Sequence, residues 1–514
     1  MGARFFMGFA LLLGATSAHA SPGGGWETSY VAPITPVECP FTAFRGDAAA
    51  CFQATVPMHY SDVREDGTLP EDAPRLTLAI TGLQNFVSAE DPNPLVIIAG
   101  GPGQAASAML PGVATALHLR RHRGIIMIDQ RGTGASEPSL NCETASALEI
   151  DDNRLNDPEL SPATSVEERL TQCISEWLER GVDFNAFDTR SAVYDLVAIR
   201  KGLGIRQWNL HGTSYGGRVV QDAMRIDPDG IRAAVINSPQ ALSPHYDRDF
   251  AENRARLFEQ LFADCAADRY CDDEFGDLKA HLEKIRAHLS EEGMDIYLRP
   301  SADGQLQRVT VGWPDVVNGL YAHMNFSNSA EPVARYIHEL SRMVDGRLSL
   351  NDDEVARIFQ NSLQDDDYGM ALVMHVAVRC REDVPAFDAA IMTAAAARDP
   401  ALYVEDTSVS SYGAACEATG VSPVDPDFYE PVTSDIPALI LTGDMDPLTP
   451  TSWAQKAHET LANGQLVSLR GMAHDIFGTS ICAQAITANF LEAPLEKIDD
   501  TCARTYRPVF APPQ

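Results

Sequence analysis

The sequence predicts an α/β protein with a mostly parallel central sheet and a mainly helical insertion, and three observations carry that prediction. Six short runs, "PLVIIAG" (94–100), "RGIIMIDQ" (123–130), "RQWNLHG" (206–212), "RAAVINSP" (232–239), "PALILTGD" (437–444) and "GQLVSLRG" (464–471), are nearly continuous in apolar character. Strands of that kind are buried on both faces, as in a parallel sheet covered by helices. Helical spacing lies between them, clearest in "SAVYDLVAIRKGLG" (191–204), with Val193, Leu196, Val197, Arg200 and Leu203 in register and glycines near its end. From about Pro244 to about Tyr429 the character changes to amphipathic stretches such as "RLFEQLFADCAADRYC", "LKAHLEKIRAHL", "NDDEVARIFQNSL" and "AFDAAIMTAAAARD".

The chain start, "MGARFFMGFALLLGATSAHA", has a basic residue, Arg4, then a short apolar run and an Ala18-His19-Ala20 ending. That is the pattern of a secretory signal cleaved near Ala20/Ser21, and the run is too short to span a bilayer. It predicts a protein that is secreted or periplasmic. The expected organisation is a signal peptide over 1–20, a first core part over 21–243, a helical cap over 244–429 and a C-terminal core part over 430–514. Within the first part, "ATVPMHY" and "PRLTLAITGLQ" read as two early strands around the polar turn "REDGTLPEDAP". The acidic run "EIDDNRLNDPELSP" (149–162) reads as a solvated loop.

Ten cysteines fit disulfides in an oxidising compartment. Spacing suggests local pairs, Cys39 with Cys51, Cys142 with Cys173, Cys265 with Cys271, Cys380 with Cys416 and Cys482 with Cys502, although spacing alone does not settle connectivity. There is no Cys-x-x-Cys, which argues against a zinc ribbon or a redox motif. A formal charge of -33 excludes a phosphate-tracking surface, so nucleic acid and anionic membranes are not expected partners. Most of that acidity serves solubility, and an acidic cleft would also attract cationic ligands such as a peptide amino end.

The chemistry centres on "NLHGTSYGGRVV" (209–220), which holds Gly212-Thr213-Ser214-Tyr215-Gly216 between a strand and a helix pattern. A serine on such a turn is exposed in a strained conformation, and small flanking residues keep neighbouring backbone clear of it. A lone Gly-x-Ser-x-Gly can equally be a turn, because Gly and Ser are common turn formers. Its hydroxyl is a weak nucleophile, so it needs a base and a carboxylate that orients the base, which follow in the order Ser, Asp, His. Asp446 in "LTGDMDPLTP" and His474 in "LRGMAHDIFG" follow the last two strands and occupy that order. Asp444 and Asp475 are the competing carboxylates. The glycine-rich "IIAGGPGQAAS" (97–107), after the third strand, can supply backbone N–H donors to an oxyanion, and the amides of Gly101 and Tyr215 are nominated. It lacks the Lys-Ser/Thr ending of a phosphate-binding loop. His118 and His122 have a helical metal-ligand spacing, but flanking arginines and the absence of a third ligand speak against it. No metal and no cofactor are expected.

"GGPG" (100–103), "DQRGTGAS" (129–136), "GTSYGG" (212–217), "GDMDPLTP" (443–450) and "GMAH" (471–474) together resemble the prolyl and tripeptidyl aminopeptidase family of α/β hydrolases, especially its exported, disulfide-containing branch. The resemblance runs from about residue 50 to about 502. It implies the α/β-hydrolase fold and a serine exopeptidase acting on peptides with free N-termini, with Ser214, Asp446 and His474 as its triad. In that family a Cys-x-acid segment of the cap lies near the active site. "VRCRED" (378–383) is its counterpart, which implies that Glu382 and Asp383 bind the substrate ammonium. Ala99 departs from the pattern, since many prolyl aminopeptidases carry His before the glycine loop, and this bears on a strict proline preference. A small-ester or amide hydrolase and a non-catalytic binding protein are the alternatives.

Overall fold

In the computed structural model, the described residues are 26–41, 49–85, 93–116, 118–142, 166–243, 246–289, 293–298, 307–326, 330–346, 370–386, 390, 394 and 412–511. The expected signal peptide over 1–20, the acidic run 149–162, "NDDEVARIFQNSL" and most of "AFDAAIMTAAAARD" lie outside them. A nine-stranded sheet runs β1 (Ile34–Val37), β2 (Ala49–Pro57), β3 (Arg75–Leu83), β5 (Ile125–Ile128), β4 (Leu95–Ile98), β6 (Trp208–Thr213), β7 (Ile231–Asn237), β10 (Ala438–Gly443), β11 (Gly464–Leu469). From β5 to β11 every neighbouring pair is parallel, and β1 to β3 join as an antiparallel edge. All six apolar runs are thus strands of one parallel sheet.

Alternation along each strand shows why they are apolar throughout. In β4, Val96 and Ile98 enter one core while Leu95 and Ile97 enter the core on the opposite face. β10 divides Ala438 and Ile440 from Leu439 and Leu441 in the same way. Helices Thr189–Gly202 and Tyr215–Ile226 cover the first face through Val193, Leu196, Val219 and Val220. Helix Ile481–Glu492 covers the other through Ile486 and Phe490.

Two features depart from the sequence reading. β1 precedes the two expected early strands, so the glycine-rich loop follows the fourth strand in chain order and not the third. The insertion also holds an antiparallel hairpin, β8 (Met294–Leu298) with β9 (Gln307–Val311). The inserted chain is built in two ways. Helices Tyr246–Ala267, Leu278–Leu289, Trp313–Phe326 and Glu331–Val344 surround a core of their own, which includes Leu257, Leu282, Leu320 and Ile337. Helix Leu372–Glu382 instead packs Val373, Val376 and Ala377 into the main core.

The five expected cysteine pairs are the five disulfides of the structure. Among the described residues no helix is long and apolar enough to cross a membrane.

Candidate active site

The loops that follow β4, β6, β7, β10 and β11 leave the carboxyl ends of parallel strands, where open α/β sheets bind ligands. Between β4 and β6 the strand order reverses, and there the glycine loop meets the serine turn. Ser214 ends β6 and starts helix Tyr215–Ile226 with φ 59 and ψ -122, a backbone that a non-glycine residue rarely adopts. The flanking glycines make this turn possible. A Cβ on Gly212 would lie 2.1 Å from the Gly216 carbonyl oxygen, and one on Gly216 would lie 2.4 Å from that of Ile98.

Asp446 and His474 meet through a different close approach. Gly443 lets the β10 loop pass the β11 loop, since a Cβ there would sit 2.2 Å from the Met472 carbonyl oxygen. His474 Nδ1 is 2.9 Å from Asp446 Oδ2 and 3.1 Å from Oδ1. Asp446 Oδ1 also accepts the N–H groups of Leu448 and Thr449, and Oδ2 accepts the Thr449 hydroxyl at 2.7 Å. Burial alone would raise the Asp446 carboxyl, yet His474 and the Thr449 donors hold it below the usual carboxylate range. Burial would likewise depress the His474 imidazole, but the Asp446 charge wins and its pKa is raised. The competing Asp444 accepts the Gly471 N–H at 2.6 Å, and Asp475 accepts the Gly478 N–H and the Asn237 side-chain amide, so among the described residues neither carboxylate bonds the His474 ring.

A carboxylate on Nδ1 leaves His474 Nε2 as the nitrogen available to a hydroxyl. Among the described residues Ser214 Oγ and His474 Nε2 have no hydrogen-bond partner, and such bonds often tighten only when substrate is bound. The Tyr215 N–H lies in the first helical turn, where backbone donors have no intrahelical acceptor. Neither it nor the Gly101 N–H is given to another backbone group among the described residues. The glycine loop is pinned from below by Gln130 Nε2, which donates to Ala99 O at 3.1 Å.

Glu382 and Asp383 require a correction. The expected ammonium site needs a carboxylate with an open face, and these two are 0% and 1% exposed. Glu382 accepts Thr189 N at 2.6 Å, Thr189 Oγ1 at 2.8 Å and Arg218 Nη1 at 3.0 Å. Asp383 accepts Arg218 Nη2 at 3.0 Å and Arg379 Nη1 at 2.9 Å. Their charge is already met by protein cations, and the Thr189 hydroxyl continues the chain to Tyr215 Oη at 3.0 Å. The other end of the same helix holds the glycine loop, with Ala371 N donating to Gly103 O at 2.9 Å and His375 Nδ1 donating to Pro102 O at 2.9 Å. Sequence reasoning missed Arg218, Thr449, His375 and Asn237. The available signal was polarity out of place, as with Arg218 in the apolar "RVV" and Asn237 closing "AAVIN".

Residues 93–312 match the family described as alpha/beta hydrolase fold, and residues 403–502 match the family described as TAP-like protein. Over 234 residues the chain is 26% identical to YuaR of Escherichia coli (strain K12), which is named as a hydrolase. That match covers 43% of this chain and 43% of YuaR, so the chain spans less than half the length of this curated relative. Similar solved structures include a proline iminopeptidase of Mycobacterium smegmatis, 15% identical with a TM-score of 0.39, covering 83% of this chain and 97% of that one. An esterase of Exiguobacterium antarcticum is 12% identical with a TM-score of 0.34, covering 82% and 96%. Parallel sheet, strained serine turn and the match over residues 93–312 agree, and the chain has the α/β-hydrolase fold.

Proposed function

We propose that this protein is an exported serine peptidase that removes residues from peptides with free N-termini through an acyl-enzyme, with Ser214, Asp446 and His474 as its triad. The observation that carries the reading is the Asp446–His474 hydrogen bond, formed on loops at the same sheet edge as the strained Ser214. His474 Nε2 takes the Ser214 proton as Oγ attacks the scissile carbonyl, while Asp446 holds the Nδ1–H tautomer and stabilises the imidazolium. The oxyanion forms against the Gly101 and Tyr215 N–H groups, each worth a few kcal/mol in such sites. His474 then gives the proton to the leaving amine, and a water deprotonated by the same imidazole releases the acyl group. The TAP-like match over residues 403–502 supports the peptidase class. The five disulfides support export.

A second reading, hydrolysis of small esters or amides on the same triad, is favoured by one observation. Glu382 and Asp383 are committed to Arg218 and Arg379, which removes them as the expected ammonium acceptors. A panel of peptide anilides with free and blocked amino ends decides between the two. The peptidase reading expects cleavage of the free-ended proline, alanine or tripeptide substrates at least tenfold faster, and equal cleavage of blocked substrates sinks it.

The raised His474 pKa gives a pH test. General-base catalysis needs neutral imidazole, so kcat/KM should fall on acidification through a value above about 6.5, the ordinary histidine pKa. Asp446→Asn removes the charge that raises it, so the acid limb should move to lower pH while kcat drops by about 10⁴-fold. A pH–rate profile in which the limb stays in place would separate Asp446 from the base.

A further inference from the structure

We infer that Asn237 is a positioning residue that sets the nucleophile turn in register with the histidine loop. The inference rests on the serine-hydrolase reading above. Among the described residues the non-glycine positions with positive φ are Ser214, Ser238 and Asp475. They come from three different loops, and Asn237 touches all of them. Its carbonyl accepts the Ser214 N–H at 2.9 Å, its chain continues directly into Ser238, and its side-chain Nδ2 donates to Asp475 Oδ1 at 2.8 Å. The second Nδ2 proton goes to Thr213 Oγ1 at 3.0 Å, the residue before the nucleophile. A carboxylate oxygen only accepts, so the amide must present Nδ2 and not Oδ1 to Asp475.

Thr213 and Asp475 are the chain neighbours of Ser214 and His474, and one fully buried amide therefore ties both sides of the proton transfer to the end of β7. Each strained turn would relax if its partner were removed, because such conformations persist only where the surroundings over-determine them. Relaxation by even about 1 Å between hydroxyl and imidazole costs on the order of 10²-fold in rate. Asn237 touches no reacting atom, so its effect belongs in the chemical step and not in substrate binding.

The test uses the full-length mature protein, a fluorophosphonate that modifies the active serine, and the best anilide from the panel above. Asn237→Asp places a carboxylate against the Asp475 carboxylate and is expected to lower both the phosphonylation rate and kcat by about 10- to 100-fold, with KM changed less than threefold. Adding Asp475→Asn to it restores the bond with donor and acceptor exchanged, and the double variant should recover most of the loss. A general packing defect at 237 would not be repaired in this way. Asp475→Ala, at a half-buried position that spares the strand, removes the bond from the loop side and should give the same KM-neutral fall. Wild-type rates in Asn237→Asp or Asp475→Ala, or a double variant no faster than Asn237→Asp, would overturn the inference while leaving the serine reading intact. A wild-type protein that the fluorophosphonate does not label would overturn both.

Discussion

Ser214→Ala is expected to abolish labelling by an active-serine phosphonate and to lower kcat by about 10⁵- to 10⁶-fold, the scale at which removal of a triad nucleophile acts. The fold should survive, since Ser214 Oγ has no partner among the described residues and the strain of the turn lies in its backbone. Alanine at φ 59 is no less strained than serine, so thermal unfolding should stay near wild type. A residual acceleration over water, of order 10³, is expected from the Gly101 and Tyr215 amides and from binding. Intact-mass measurement of the phosphonylated protein reads the outcome, and a Ser214→Ala variant that still gains the label would remove this serine as nucleophile.

Arg218→Met has the largest expected effect on stability. Arg218 is the shared partner of Glu382 and Asp383, all three are buried, and its Nε also donates to Ala241 O at 2.9 Å. Taking one member from such a cluster leaves uncompensated charge in a low dielectric, which costs about 3–5 kcal/mol. The loss should depend on pH in a defined direction. Burial already pushes the Glu382 carboxyl from 4.5 up to about 7, with Arg218 opposing that rise. A carboxyl whose folded pKa is raised contributes stability that is whole below about 4.5 and fades as pH rises through about 7. Without Arg218 the rise is larger, so the penalty is relieved near pH 5, where the Glu382 carboxyl takes up a proton, and greatest near pH 8. Urea unfolding at the two pH values measures it, and a variant that loses less than about 1 kcal/mol at both would show that this cluster is not what holds the inserted helix down.

The legible part of the fold was the part with a one-dimensional cause. Strands buried on both faces have to be apolar at successive residues, and β4, β6, β7 and β10 could be read from that alone. β1 was not read because three of its four residues are exposed and it carries Pro36, so no apolar run marks it. In the site, Asp446 and His474 are legible as a pair because their loops must follow strands, and the structure brings them within 2.9 Å. Their preference over Asp444 and Asp475 becomes geometric only when the loops cross at Gly443. Glu382 failed as an ammonium site for a three-dimensional reason. Whether a carboxylate is free depends on what faces it, and the arginine that faces Glu382 lies 164 residues earlier in the chain.

The inserted segment packs as two units. The helices Tyr246–Ala267, Leu278–Leu289, Trp313–Phe326 and Glu331–Val344 enclose a core that, among the described residues, takes only Met445, Leu448 and Phe510 from outside the insertion. Helix Leu372–Glu382 is fastened instead to Gly103, Pro102, Thr189 and Arg218, and stapled through Cys380 to Cys416. A chimaera that exchanges only the first unit keeps every support of the glycine loop and of Tyr215. One that carries the exchange through Glu382 brings a foreign helix to Arg218 and Thr189, and those two core residues have to be exchanged with it.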